Sequence, residues 1–164
     1  MFCIAVGQPI GFSDCDAFDF DAWDRTIITT HADFCFWHDS VEYIMSDLSD
    51  EDGAKALTLF EARLLAAADT EQELFEAIEV LRPIRQGLAW YKDGNNCVLM
   101  GKEKNYTLPM LQYAVWKCAD GKLNLRQIFD MLIPSLMDFP NVTREVAFTQ
   151  AVATLVDERL IFLR

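Results

Sequence analysis

The stretch "WKCADGKLNLRQIF", Trp116 to Phe129, decides how the second half of this 164-residue chain folds. Two apolar runs at helical spacing flank Asp120-Gly121. That pair ends the first helix, and Asn124 is placed to cap the second. The outline is that of a helix-turn-helix, yet the chain carries a formal charge of −12. The sequence therefore poses the question of what such a motif reads.

Working outward, Leu125, Ile128, Phe129, Leu132 and Ile133 form the inward stripe of the second helix, bounded by Pro134 and Pro140. A last helix starts at Asn141 or Val142, with Phe148, Ala151, Val152, Leu155 and Val156 on one side. "LIFL", residues 160–163, reads as a strand or an extended tail. Upstream, Pro109 suits a helix start, where its missing N–H costs nothing, and Leu111, Ala114, Val115 and Cys118 make the buried face. Before it, "GLAWYK" (87–92), "NCVLMG" (96–101) and "NYTL" (105–108) read as short strands, with "DGNN" and "GKEK" as turns. Residues 84–164 thus follow the order β-β-β-α-α-α.

The first half reads differently. "FCIAV" is a possible short strand, and "DCDAFDFDAWD" alternates acidic and apolar residues as an extended edge or an irregular loop. Phe34, Trp37, Val41, Ile44 and Met45 fit helical spacing over Asp33 to Met45. Ser49 with Asp52 opens a further helix, whose stripe is Leu57, Phe60, Leu64 and Ala68. Thr70 with Glu73 is a capping box, followed by Leu74, Ile78 and Leu81, and Pro83 ends the run. Residues 50–82 are expected to form a helical hairpin. The fold class expected is α+β, in two parts. Residues 1–83 are an acidic, mainly helical partner-docking region. Residues 84–164 are a winged-helix-like module with a three-stranded antiparallel sheet and three helices.

Charge divides at the same place. Residues 1–82 hold 18 Asp/Glu against 4 Lys/Arg, a balance of −14; residues 83–164 hold 8 against 10, a balance of +2. Such an acidic half keeps a protein soluble, or offers a surface to a basic partner. Five cysteines at positions 3, 15, 35, 97 and 118 form no CxxC pair. No run approaches the ~20 apolar residues of a membrane helix, and no signal peptide is legible at the start. A reducing cytoplasm with free thiols is the setting expected.

"CVLMGKEKNYTLPMLQYAVWKCADGKLNLRQIFDML" with "VAFTQAVATLVDERLIFL" resembles the peptide chaperone of pyrroloquinoline quinone biosynthesis. The same module recurs as a recognition element in enzymes that modify ribosomally made peptides. The shared features are strand, turn, strand, a helix ending in Cys-x-Asp-Gly (here Cys118, Asp120 and Gly121), and a final helix ending in Leu-hydrophobic. Pro109 departs from the polar residue usual there. An acidic helical extension before such a module is similar to the companion subunits of multinuclear iron oxidases, which build copper-chelating methanobactin-type peptides or thia-amino acids. The resemblance implies that a leader peptide adds as a strand along Lys104 to Leu108, beside the last helix. Lys102, Lys104 and Arg144 would then meet an acidic leader. Asn105, Tyr106, Thr107 and Leu108 would form the edge, with Tyr106, Phe148 and Val152 as an apolar floor. About five backbone bonds at ~1 kcal/mol each fall short of the ~8 kcal/mol of micromolar binding, so guest side chains must also be buried.

Three functions compete. The first is a non-catalytic subunit that presents a precursor peptide to a modifying enzyme in a hetero-oligomer, without nucleic acid, membrane or a cofactor of its own. The second is a winged-helix DNA regulator, for which Lys122, Arg126 and Arg144 are few cations. The third is a small metal-dependent enzyme. Its candidate ligands are His31, Cys35 and His38, at a spacing that matches no strong signature. The aspartates of "DCDAFDFDAWD" lack the glycine and glutamate of a calcium loop.

Overall fold

Period-two alternation, not helical spacing, governs the first thirty residues. In the computed structural model, which describes residues 1–14, 16–93, 96–100, 104–135 and 142–164, they form four strands. These are β1 (Phe2–Ala5), β2 (Gln8–Asp14), β3 (Ala17–Ala22) and β4 (Arg25–Thr30). Phe18 and Phe20 face inward while Asp19 and Asp21 face out, which makes β3 a half-buried strand in the antiparallel order β2-β3-β4. Trp23 and Asp24 close the β3–β4 hairpin, both with positive φ (55° and 57°). A non-glycine residue there costs roughly 1–2 kcal/mol. Trp23 is held by its indole N–H donating to the Arg63 carbonyl at 2.8 Å.

Helix α1 (His31–Asp39) follows, capped by the Thr30 hydroxyl, and stops well short of Met45. Beyond it the chain extends: Cys3 N–H donates to the Tyr43 carbonyl, and Phe2 bridges Ile44. Helix α2 (Asp50–Glu61) begins at the Ser49 cap as expected. The helical hairpin expected over 50–82 does not form. Arg63 enters the left-handed region (φ 61°), and residues 65–68 become strand β5 (Leu65–Ala68), antiparallel to β1. The small residues of "LAAA" lie opposite β1, with Ala66 across from Ile4 and Ala67 across from Cys3. Helix α3 (Glu71–Ile78) carries the full Thr70–Glu73 capping box. Residues 1–83 are therefore mixed strand and helix, not mainly helical.

The second half holds the three strands and three helices expected, preceded by a further short strand at residues 83–85 that the sequence did not announce. β6 (Pro83–Arg85), β7 (Leu88–Asp93), β8 (Asn96–Met100) and β9 (Asn105–Leu108) precede α4 (Met110–Cys118), α5 (Leu125–Leu132) and α6 (Arg144–Asp157). β7-β8-β9 is a three-stranded antiparallel sheet. β10 (Ile161–Leu163) pairs with β6.

Packing does not break at residue 83. One buried cluster runs from Cys3 and Ile4 through Trp37, Leu59 and Ile78 to Phe129, Phe148, Val152 and Leu163. The Trp37 indole N–H is shared between the Val6 and Leu64 carbonyls at 3.0 and 3.1 Å. Gly7 N–H reaches the Leu163 carbonyl, and a side chain at Gly7 would come within 3.0 Å of Leu64. Phe148 lies at the centre, its ring 5.9 Å from Phe75 of α3 and 5.3 Å from Phe129 of α5. Truncation to alanine of such a side chain costs about 3–5 kcal/mol. Phe148→Ala is expected to lower stability by that amount in urea unfolding, with circular dichroism and tryptophan fluorescence following one shared transition. Two separated transitions would mean that the halves fold independently.

Candidate functional site

The edge strand β9 owes its form to alternation. Leu108 is buried and Tyr106 half-buried, while Asn105 and Thr107 are exposed. β9 pairs with β8 only, Leu99 opposite Tyr106 and Cys97 opposite Leu108. No strand covers its other side among the described residues, which leaves every second amide of β9 facing outward. Lys104 lies over the Tyr106 ring at 4.8 Å and reaches Glu158, beyond the end of α6, at 3.0 Å. The start of β9 is thereby held beside the last helix. Lys104 is thus engaged within the fold, although an exposed pair of this kind contributes little stability. Lys102 lies outside the described residues.

The other residues expected at this edge are placed elsewhere. Phe148 and Val152 have no exposed surface and belong to the core. A guest chain therefore meets neither, and Tyr106 is the apolar side chain left from the expected floor. Arg144 opens α6, whereas Lys104 touches the residue after its other end. About 20 Å of helix separates the two.

Among the cations of the helix-turn-helix, Arg126 is held within the fold. Arg126 donates from Nε to Glu79 at 2.9 Å, its backbone N–H meets the Glu79 carbonyl, and its guanidinium lies over Phe75 and Phe129. The first turn of α5, the part that would enter a DNA groove, is thus docked on the end of α3. Lys122 lies 3.5 Å from the Asp120 carboxylate. That carboxylate also accepts the Lys122 N–H, which holds it below the usual carboxylate range. Gly121 (φ 78°) donates to the Pro83 carbonyl, pinning the Cys-x-Asp-Gly turn to β6. Cys118 is half-buried, and burial pushes its thiol up.

His31 and Cys35 stand one turn apart on α1, with Sγ 3.6 Å from Nε2. His38 instead pairs with Asp39 at 2.6 Å. Among the described residues no three His, Cys, Asp or Glu side chains converge as a metal site. Of the aspartates in the alternating run, Asp21 forms an ion pair with Arg164 at 3.0 Å. No described helix is long and apolar enough to cross a membrane.

Comparison with protein-family models, curated proteins and solved structures gave no match for this chain.

Sequence reasoning missed the end of α6. Desolvation there pushes Asp157 up to about 6, Arg159 opposes it, and Glu42 and Glu158 push further. Glu42 comes from a segment distant in sequence, so no local pattern announces the cluster. An acid whose pKa is raised on folding contributes stability below its unfolded value, near 4, and loses it as pH rises through 6. Asp157→Asn is expected to remove that loss. The variant should gain stability over the wild type between about pH 4 and pH 7 in paired thermal melts. A constant difference across that range would show that Asp157 does not titrate this way.

Proposed function

We propose that this chain is a non-catalytic binding subunit. It holds the leader of a ribosomally made precursor peptide as an added strand on β9 and presents it to a modifying enzyme docked against residues 1–83. The order β-β-β-α-α-α, the Cys118-x-Asp120-Gly121 turn and the resemblance carried by these residues support a winged-helix-like recognition module. The resemblance of the acidic half to companion subunits makes a multinuclear iron oxidase of methanobactin-type biosynthesis the enzyme proposed.

The observation that carries the reading is the outer side of β9, uncovered among the described residues and bordered by the half-buried Tyr106. Strand addition takes its register from such an edge and its choice of guest from adjoining side chains. A four-residue edge offers about four outward backbone groups, or ~4 kcal/mol. A guest must therefore also bury side chains at ~1.5–3 kcal/mol each to reach micromolar affinity. DNA recognition is disfavoured because Arg126 is engaged with Glu79 and the exposed Lys122 lies beside the Asp120 carboxylate, leaving few cations for phosphate contacts.

Panning a displayed dodecapeptide library against the whole chain and titrating the recovered peptides tests this. Tyr106→Ala is expected to weaken binding about tenfold, or ~1.4 kcal/mol. Lys104→Ala should cost about twofold or less at moderate salt, because its exposed ion pair is screened. Equal small losses would place the groove elsewhere and reject this edge.

A further inference from the structure

Helix α2 is turned the other way from its sequence pattern. Ala56 and Leu59 are buried, while Leu57 and Phe60, of the stripe expected to face inward, are 57% and 50% exposed. These two side chains do not stand singly. With Ala56 and Gly53 of α2, and with Ala67 and Ala68 of β5, they line a pocket of about 580 Å³. A mainly apolar hollow of that size is within the range of ligand sites.

The backbone of β5 opens into the same hollow. Cys3 N–H donates to Tyr43, away from β5, and Val6 N–H donates to Leu64, toward it. In an antiparallel ladder these directions alternate, and opposed residues share them. Cys3 pairs with Ala67 and Ala5 with Leu65. The N–H and C=O groups of Ala67 and Leu65 therefore point outward from the sheet. Neither residue has a hydrogen-bond partner on that side among the described residues. Both line the pocket. Leu65 is 4% exposed and Ala67 is partly exposed, so the accessible part of this edge, at Ala67, and an apolar helix face border one cavity, an arrangement that takes up an extended chain.

Charge selects the occupant. Two carboxylates stand at its rim, Asp69 just before α3 and Glu73 in the first turn of α3, and no Lys or Arg is among the residues that line it. Such a rim repels an acidic chain and attracts a basic one. We infer that β5 and α2 form a docking groove for a partner protein's extended segment of alternating apolar and basic residues. The segment adds to β5 as a strand, places its apolar side chains against Leu57 and Phe60, and sets its cations at the acidic rim. The groove lies apart from β9 and does not depend on a guest there.

The test uses the whole chain and a labelled, acetylated and amidated heptapeptide of alternating lysine and leucine. It is expected to bind saturably, to slow hydrogen exchange at the Ala67 amide by about tenfold, and to weaken as salt is raised. Phe60→Ser and Ala67→Pro are each expected to weaken binding about tenfold. The proline deletes an outward donor that the β1 ladder does not use. Should Ala67→Pro not fold, the same peptide N-methylated at alternate amides replaces it, and its binding to the wild-type chain should be lost. A glutamate–leucine heptapeptide should not bind, and Tyr106→Ala should leave binding unchanged. Absence of binding overturns the inference. So does binding that ignores Phe60 and the peptide amides, or binding that Tyr106→Ala abolishes. Failure of the β9 titration alone leaves this groove standing.

Discussion

The fold depends on one buried indole. Trp37 sits almost without solvent, and its N–H is divided between Val6, just past β1, and Leu64, just before β5. An unsatisfied polar group at that depth would cost about 1–3 kcal/mol, so helix, strand start and strand end are fixed together. Arg159 closes the arrangement from the far end of the chain. Its guanidinium lies 4.6 Å over the Trp37 ring and donates to the carbonyls of Trp37 and His38. A residue beyond α6 thereby grips the first helix, which is why the boundary near residue 83, plain in the charge distribution, has no counterpart in the packing.

A similar economy holds at the helix-turn-helix of residues 110–132. Here Arg126 serves as the clasp between α3 and α5 and Lys122 closes its own turn. What the fold leaves open is backbone. No further strand pairs with the outer edges of β5 and β9 among the described residues, and each lies beside aromatic or aliphatic surface. Open edges are a hazard in soluble proteins, commonly blunted by charge. The lysine near β9 and the carboxylates of Asp69 and Glu73 near β5 accord with that, and they also bias which chains approach.

Local signals were legible wherever the local pattern matched the final environment. The three strands and three helices after residue 84 fall within a few residues of their expected bounds, because turns, caps and periods there agree with one another. The caps at Ser49, Thr70 and Asn124 are where the residue types place them. Long-range pairing is what the sequence conceals. "LAAA" has no strand signature of its own, and β1 makes it one. The stripe of Leu57 and Phe60 has a helical period, but period does not say which face finds a partner. Phe148 and Val152 show the same limit at the candidate site. An apolar stripe identifies a buried face without separating core from groove floor, and the core prevailed.

The pairing of β6 with β10 has a consequence for how the protein is made. Residues 161–163 hydrogen-bond to residues 83–85, and Leu163 also receives the Gly7 amide. This junction is thus finished by residues synthesised after almost everything they touch. A nascent chain on the ribosome would expose the flanks of Ile84 and Gly7 until that late strand emerges. Assembly of this junction therefore waits for residues 161–163, while the capped helices are free to form earlier.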